Sequence, residues 1–406
     1  MTRDILLSEL LKAKANKNKS VEEVIDEFIK TNSRLAAKEL EAQLANLLIF
    51  INDNFDIPQA TLKELIDSKI SSMGLNVNPL NLEETYKKLS MQGVSLGISF
   101  DKTDIRAIEA MKNNFYWMRR EFNDKFQSRL KEITQKVFEG EIPRKSMAAA
   151  LKDEFKSELD MNISYFEGVS DHIISQNQNI ARVNQARKYG AQHYKVMAIM
   201  DSKTSHICRS MNGRIIPAEH LERQADNIVS SKTMADKKAA SVWAKEPYFG
   251  RSDKMPSSFG LPPYHFRCRT EVVPVWIDDY EVDGAVMKAT EPPRKGEALR
   301  HIDKMGVERY ANTKTLNHSQ SSRSRKVPIK DIVKALNSIN SVSPHKFHQN
   351  RLVAKSDNGY FMVFDVDYLY TIYKPSGSKS VPKQLEQTFL KNSIKDKTKV
   401  IKWNIL

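Results

Sequence analysis

The residues of this chain best suited to chemistry are its cysteines and the histidines and arginines beside them. Cys208 and Cys268 are the only two cysteines among 406 residues. The first lies in Asp201-Ser202-Lys203-Thr204-Ser205-His206-Ile207-Cys208-Arg209-Ser210-Met211-Asn212-Gly213. The second lies in Pro262-Pro263-Tyr264-His265-Phe266-Arg267-Cys268-Arg269-Thr270. Thiolate and imidazole are good zinc ligands, so His206, Cys208, His265 and Cys268 would supply the four that a tetrahedral ion takes. Two other states compete with that one. The thiols can be small buried groups that pack one module, or they can form a disulfide, which a reducing cytosol disfavours and the outside of a cell permits. In the packing state Asp201 and Thr204 satisfy turn amides, Pro262-Pro263 stiffens the approach, and Arg209 and Arg269 pair with backbone or carboxylate groups. No cofactor is expected and no catalytic residue is assigned to these phrases.

A second cluster is His345 and His348, near Arg351 and Lys355. Such a set suits a metal-independent ribonuclease, with one imidazole as base, the other as acid and a cation on the phosphate. Asp365 and Asp367 alternate on an expected strand and so share a face. Lys374-Pro375-Ser376-Gly377-Ser378-Lys379-Ser380 lacks the spacing of a phosphate-binding loop and reads as a turn. H-E-x-x-H, G-x-S-x-G, G-x-G-x-x-G and C-x-x-C are all absent, which argues against most enzyme classes.

The pattern D-x-x-T-S-x-x-C-R-x-x-x-G followed by P-P-x-H-x-x-C-R resembles the phage head morphogenesis proteins of the Mu F type, also called minor head proteins. Ile180-Ala181-Arg182-Val183-Asn184-Gln185-Ala186-Arg187 extends the likeness upstream, so that it covers roughly residues 140–280. The resemblance implies a minor capsid protein of a tailed phage or prophage. Such a protein enters the procapsid with the portal protein and with scaffold or major capsid protein, and it stays in the virion close to packaged DNA. It would be made in the host cytoplasm. Family members often carry a further cysteine where this chain has Ser205 and another where it has Thr270. Some carry a nuclease-like toxin domain at the C-terminus, and the alternative reading is therefore a carrier of such an effector.

The elements that must position these residues follow from the patterning. An α+β chain is expected, with a largely helical N-terminal half, a small mixed cysteine module and a small α+β C-terminal domain. Ser20 with Glu23 has capping-box spacing and predicts a helix from Val21 to about Phe50; another is predicted over Ala60–Ile70. Ile105, Ile108, Met111, Phe115, Met118, Phe122, Phe126, Leu130, Ile133 and Val137 recur in steps of three and four, so one long helix carries them on a single stripe. Asp101 or Thr103 would cap it, and Gly140 with Pro143 would stop it. Two helices are predicted over Pro143–Leu159 and Ile163–Tyr189, and a strand over His193–Met200. The expected domains are residues 1–138, 139–280, a polar linker 281–327 and a C-terminal domain 328–406. In the last, Ile329–Ile339 reads as a helix, and Leu352–Ala354 and Tyr360–Tyr373 as strands joined at Asp357-Asn358-Gly359. Gln384–Asn392 reads as a helix and Val400–Trp403 as a strand.

Net charge is +14. Residues 281–406 hold 23 Lys and Arg against 12 Asp and Glu, or +11, leaving +3 for the rest. A basic final third suits an anionic partner, phage DNA above all. No run of about 18 apolar residues occurs, so no membrane partner is expected.

Overall fold

The structure, a computed structural model, describes residues 3–54, 56–75, 81–91, 101–313, 327–345, 348 and 351–374. It divides into two compact units, Met1–Ala181 and Arg182–Leu406. About 52% is helical, with the sheets in the C-terminal part, and the class is α+β.

The first unit contains α1 (Arg3–Asp53), α2 (Gln59–Ser71), α3 (Leu82–Met91), α4 (Lys102–Phe138) and most of α5 (Met147–Lys188). Helix α1 has neither Gly nor Pro, so nothing interrupts it, and Ser20 lies within it rather than at its start. Its buried residues include Leu40, Leu44, Leu47 and Ile51, again in steps of three and four. Helix α4 opens with a capping box: Asp101 accepts from the Thr103 and Asp104 amides, while the Asp104 carboxylate accepts from the Asp101 amide. Eight of the ten residues on its stripe are buried, Ile133 is half-buried, and Ile105 in the first turn is exposed. Phe115 meets Phe28 of α1 at 5.8 Å and Phe126 meets Phe155 of α5 at 5.6 Å, ring centre to ring centre.

The turn after α2 is pinned on both sides. Gln43 of α1 exchanges two hydrogen bonds with the Gly74 backbone, at 2.8 and 2.7 Å, and Asn123 of α4 accepts from the Leu75 amide at 2.7 Å. Gly74 has φ +149°, and a Cβ there would lie 2.4 Å from the Asn123 side chain, so glycine is required. The break expected between Leu159 and Ile163 does not occur. Helix α5 is continuous because it contains no Pro, and its single glycine, Gly168, is tolerated.

The second unit is built on β1 (His193–Met197), α6 (His206–Met211), β2 (Ile215–Pro217), α7 (Ala218–Ser230), α8 (Met234–Ala240) and β3 (Glu271–Val275). Strand β1 lies between β2 and β3, antiparallel to both. The hairpin β4 (Asp278–Val282) and β5 (Ala285–Ala289) follows, then β6 (Glu297–Ile302) and β7 (Glu308–Asn312). Helix α9 (Ile329–Leu336) precedes β8 (Ile339–Pro344), β9 (Arg351–Ser356), β10 (Phe361–Asp365) and β11 (Tyr368–Tyr373). These last strands and β6–β7 form one six-stranded sheet, ordered β6-β7-β11-β10-β9-β8, in which the β7–β11 pair alone is parallel.

Two expectations are corrected here. The stretch 281–327 is not simply a polar linker, because residues 285–312 form strands whose apolar positions join the core of α9 and the six-stranded sheet: Ala285, Met287, Leu299, Val307 and Ala311 pack with Ile332, Leu336 and Phe364. Tyr360–Tyr373 is two strands, not one. Val366 turns the chain with φ +60°, and the Arg309 guanidinium holds its carbonyl at 2.6 Å. Asp365 therefore ends β10 while Asp367 stands in the turn, and the two do not share one strand face. The expected turn at Asp357-Asn358-Gly359 does join β9 to β10, with Gly359 at φ +82°. Gln384–Asn392 and Val400–Trp403 lie outside the described residues.

Candidate functional site

The two cysteine phrases close on one another. Ser205 caps α6, its hydroxyl accepting from the Cys208 amide at 3.1 Å, so Cys208 sits in the first turn of that helix. The second phrase approaches through a cis Pro262-Pro263 peptide and a buried Tyr264 whose hydroxyl donates to the Gly260 carbonyl at 2.8 Å. Cys208 Sγ and Cys268 Sγ then lie 3.5 Å apart although 60 residues separate them, and His265 Nε2 lies 3.1 Å from Cys208 Sγ. Both cysteines are free and buried. The two sulfurs and Nε2 all lie within 4.8 Å of one another, a spacing at which a metal ion can be held.

His206 is not part of this group. Two helical positions are about 200° apart around the axis, so its exposed imidazole leaves α6 on the side away from Cys208. The four-ligand set His206, Cys208, His265 and Cys268 is therefore corrected to three. Ser205 takes up a position beside them, with Oγ 2.8 Å from His265 Nε2. Position-by-position reading treats Ser205 as an absent cysteine; its place before a short helix, three residues ahead of Cys208, is the signal of a cap.

The remaining motif residues explain one another through Asp201. Its carboxylate accepts from Arg269 at 2.7 Å and from the Lys203 amide at 2.9 Å. Its carbonyl accepts from Arg209 at 2.5 Å, and Arg209 Nε also donates to the Thr204 carbonyl at 3.2 Å. The Thr204 hydroxyl accepts from the Asp201 amide at 2.9 Å and donates to the Ile199 carbonyl. Each cysteine is thus followed by an arginine that reaches the same aspartate, which is the physical content of D-x-x-T…C-R…C-R. The Arg269 hydrogen bond, with the Lys203 amide and Thr204, holds the Asp201 carboxyl well below the usual carboxylate range. Gly213 ends α6 with φ +75°; its amide donates to the Val196 carbonyl at 2.9 Å and its carbonyl accepts from the Glu308 amide at 2.8 Å.

Electrostatically the two thiols behave as one group. The hydrogen bond from Cys268 pulls Cys208 down to about 6 against the cost of burial, with help from Ser205, Thr270 and Arg269. The same bond and burial push Cys268 far above the usual thiol range. The two sulfurs therefore titrate as a pair, with loss of the first proton favoured and loss of the second opposed.

Beneath this module lies a buried ion network that sequence reading missed. Glu308 accepts from the Thr290 amide and hydroxyl at 2.6 and 2.8 Å, pairs with Lys195, and meets Arg300 at 3.2 Å. Arg309 pairs with Asp303 at 2.8 Å. Arg214 is buried against backbone carbonyls of Ser210, Tyr248 and Gly250, and burial lowers it to about 10.

The second cluster also assembles in part. The His345 and His348 rings meet at a tilt of 55° with centres 4.8 Å apart, and the Arg351 guanidinium lies 4.1 Å from the Tyr370 ring. Burial, then the neighbouring His348 and Arg351, lowers the His345 imidazole below its ordinary value. The basic excess lies elsewhere: residues 314–326, Lys346 and 375–406 hold 12 of the 23 Lys and Arg of the final third but only two of its 12 acids. These positions are outside the described residues, and the described part of that third is close to neutral.

No helix among the described residues is long and apolar enough to cross a membrane. In comparisons with known proteins, no family model, no curated protein and no solved structure matches the chain.

Proposed function

We propose that this chain is a minor head protein of a tailed phage or prophage, which joins the procapsid through the portal protein and scaffold or major capsid protein. The observation that carries the reading is the closure of the two cysteine phrases on Asp201, through Arg209 and Arg269. Every residue of the resembled pattern then has a place in one module, and its work is to specify a shape. The helical unit supplies long faces for docking by surface complementarity. The basic segments 314–326 and 375–406 neutralise phosphate of packaged DNA, with an affinity that falls steeply with salt. The test is to purify procapsids of the parent phage, wash them in high salt and identify their proteins by mass spectrometry. The protein is expected there in a few copies per particle, beside the portal; its absence from washed procapsids and finished particles overturns the assignment.

A second reading is supported by the His345–His348 contact alone: an effector in which the C-terminal part cleaves RNA. Expression of the full chain in bacteria tests it. Growth arrest and RNA loss, both abolished by His345→Ala with His348→Ala, would favour it, and intact RNA at high expression would refute it.

A further inference from the structure

The geometry points to a zinc site formed by Cys208 Sγ, Cys268 Sγ and His265 Nε2, with the Ser205 hydroxyl placed to complete it. This inference does not depend on the head-protein reading. Around a tetrahedral zinc, Zn–S bonds of about 2.3 Å and a Zn–N bond of about 2.0 Å put ligand atoms roughly 3.5–3.8 Å apart. The sulfurs are 3.5 Å apart, Cys208 Sγ is 3.1 Å from Nε2, and the three atoms lie within 4.8 Å of one another, so side-chain movements of about an ångström would bring them to that spacing around an ion.

Two features beyond proximity argue for a ligand set. His265 Nδ1 lies 2.7 Å from the Phe266 carbonyl, which can only accept, so Nδ1 carries the proton and Nε2 presents a lone pair to the sulfurs. A backbone carbonyl that fixes the distal nitrogen is the usual support of a metal-bound imidazole. Ser205 Oγ, 2.8 Å from Nε2, faces the same point and offers an oxygen for the fourth position. A competing use, Cys208 as a nucleophile activated by His265, fits less well. Cys208 is 3% exposed and Cys268 covers it, whereas reactive cysteines are partly open to substrate. The site would lock the start of α6 to the 262–269 loop, adding to the Arg269–Asp201 ion pair that already joins the two phrases.

The test uses the full chain, expressed in zinc-supplemented medium without a metal-binding tag. Elemental analysis is expected to find roughly one zinc per chain. Cobalt replacement should give a thiolate-to-cobalt charge-transfer band and the visible bands of a tetrahedral ion. Cys208→Ser, Cys268→Ser and His265→Ala should each drop zinc to near zero, and His206→Ala should keep it. Ser205→Ala should keep the metal with weaker retention against a chelator. Because the cysteine variants can fail to fold, the wild-type stoichiometry and the His206→Ala control decide the matter. Reduced, folded wild-type protein that holds no zinc and shows no cobalt–sulfur band overturns the site, as does loss of metal in His206→Ala. Failure here would leave the procapsid assignment standing, since that rests on assembly and not on metal.

Discussion

In the helical unit, α4 buries Met111, Phe115, Met118, Phe122, Phe126 and Leu130 along one stripe, with aromatic contacts to α1 and α5. The region from β1 to β7 is instead organised around groups that would rather be in water: Lys195, Arg214, Arg300, Asp303, Glu308 and Arg309, tied by directed bonds. The contrast concerns tolerance. An apolar stripe is non-directional, so what matters is volume and continuity. A buried polar network rewards only complete satisfaction, and one missing partner strands the rest. The helical unit should therefore accept exchange of like for like and suffer from cavities, while the second unit should be sensitive to single polar changes that leave its volume alone.

The largest effect is expected from a cavity in the stripe. Phe126 is 1% exposed and packs on Phe122 and Phe155, so Phe126→Ala should cost about 3–5 kcal/mol in urea unfolding followed by helical circular dichroism. A smaller cost would mean that the stripe is less tightly filled than its contacts imply.

Next comes the network, broken without change of size. Glu308→Gln leaves Lys195 and Arg300 without their shared carboxylate and should cost about 3 kcal/mol at neutral pH. Burial raises Glu308, but Lys195, the Thr290 amide and Arg300 outweigh it and hold the carboxyl below its ordinary 4.5. A lowered carboxylate stabilises the fold above its unfolded value and loses that contribution as pH falls through its folded value. The difference between wild type and Glu308→Gln should accordingly be constant above pH 4.5 and shrink below it. A difference that grew on acidification would contradict the sign.

Lys237 offers an effect of opposite direction. It is 5% exposed in α8, and burial lowers its ammonium to about 7 from 10.5. The unfolded chain then holds the proton more tightly, so burial costs stability below 10.5, and the cost is complete below 7. Lys237→Met should stabilise by on the order of 2 kcal/mol at pH 7, and the gain should fade as pH approaches 10.5. A gain independent of pH would assign it to packing alone.

The smallest effect is the control for tolerance. Met118→Leu, at a buried position of the stripe, should change stability by less than about 1.5 kcal/mol. A larger loss would erase the distinction between the two regions.

The sequence is legible where pattern and environment agree. The stripe on α4, its Asp101 cap and the Asn358-Gly359 turn all follow from spacing, because each is a local choice that the fold does not overrule. The convergence of Cys208 and Cys268 is legible as one motif, yet its ligand set is not, since only the turn of α6 reveals that His206 points away and Ser205 points in. Strands β6 and β7 were hidden for a related reason. Arg300, Glu308 and Arg309 read as solvated residues of a linker, but they are buried in pairs, and pairing across 8 or 113 residues leaves no trace in local composition. The joined helix α5 escaped because Asp160 and Asn162 interrupt the apolar pattern, while nothing between Leu159 and Ile163 breaks a helix.

The central claim is that two phrases 60 residues apart build one site around a pair of adjacent sulfurs. It is tested most directly by stripping metal from the folded, reduced full chain with a chelator and then oxidising it mildly at low protein concentration. Rapid, complete conversion to an intramolecular Cys208–Cys268 disulfide, seen by mass spectrometry of unreduced peptides, is the expected result. Two thiols that stay free, or that cross-link only between chains, would contradict it.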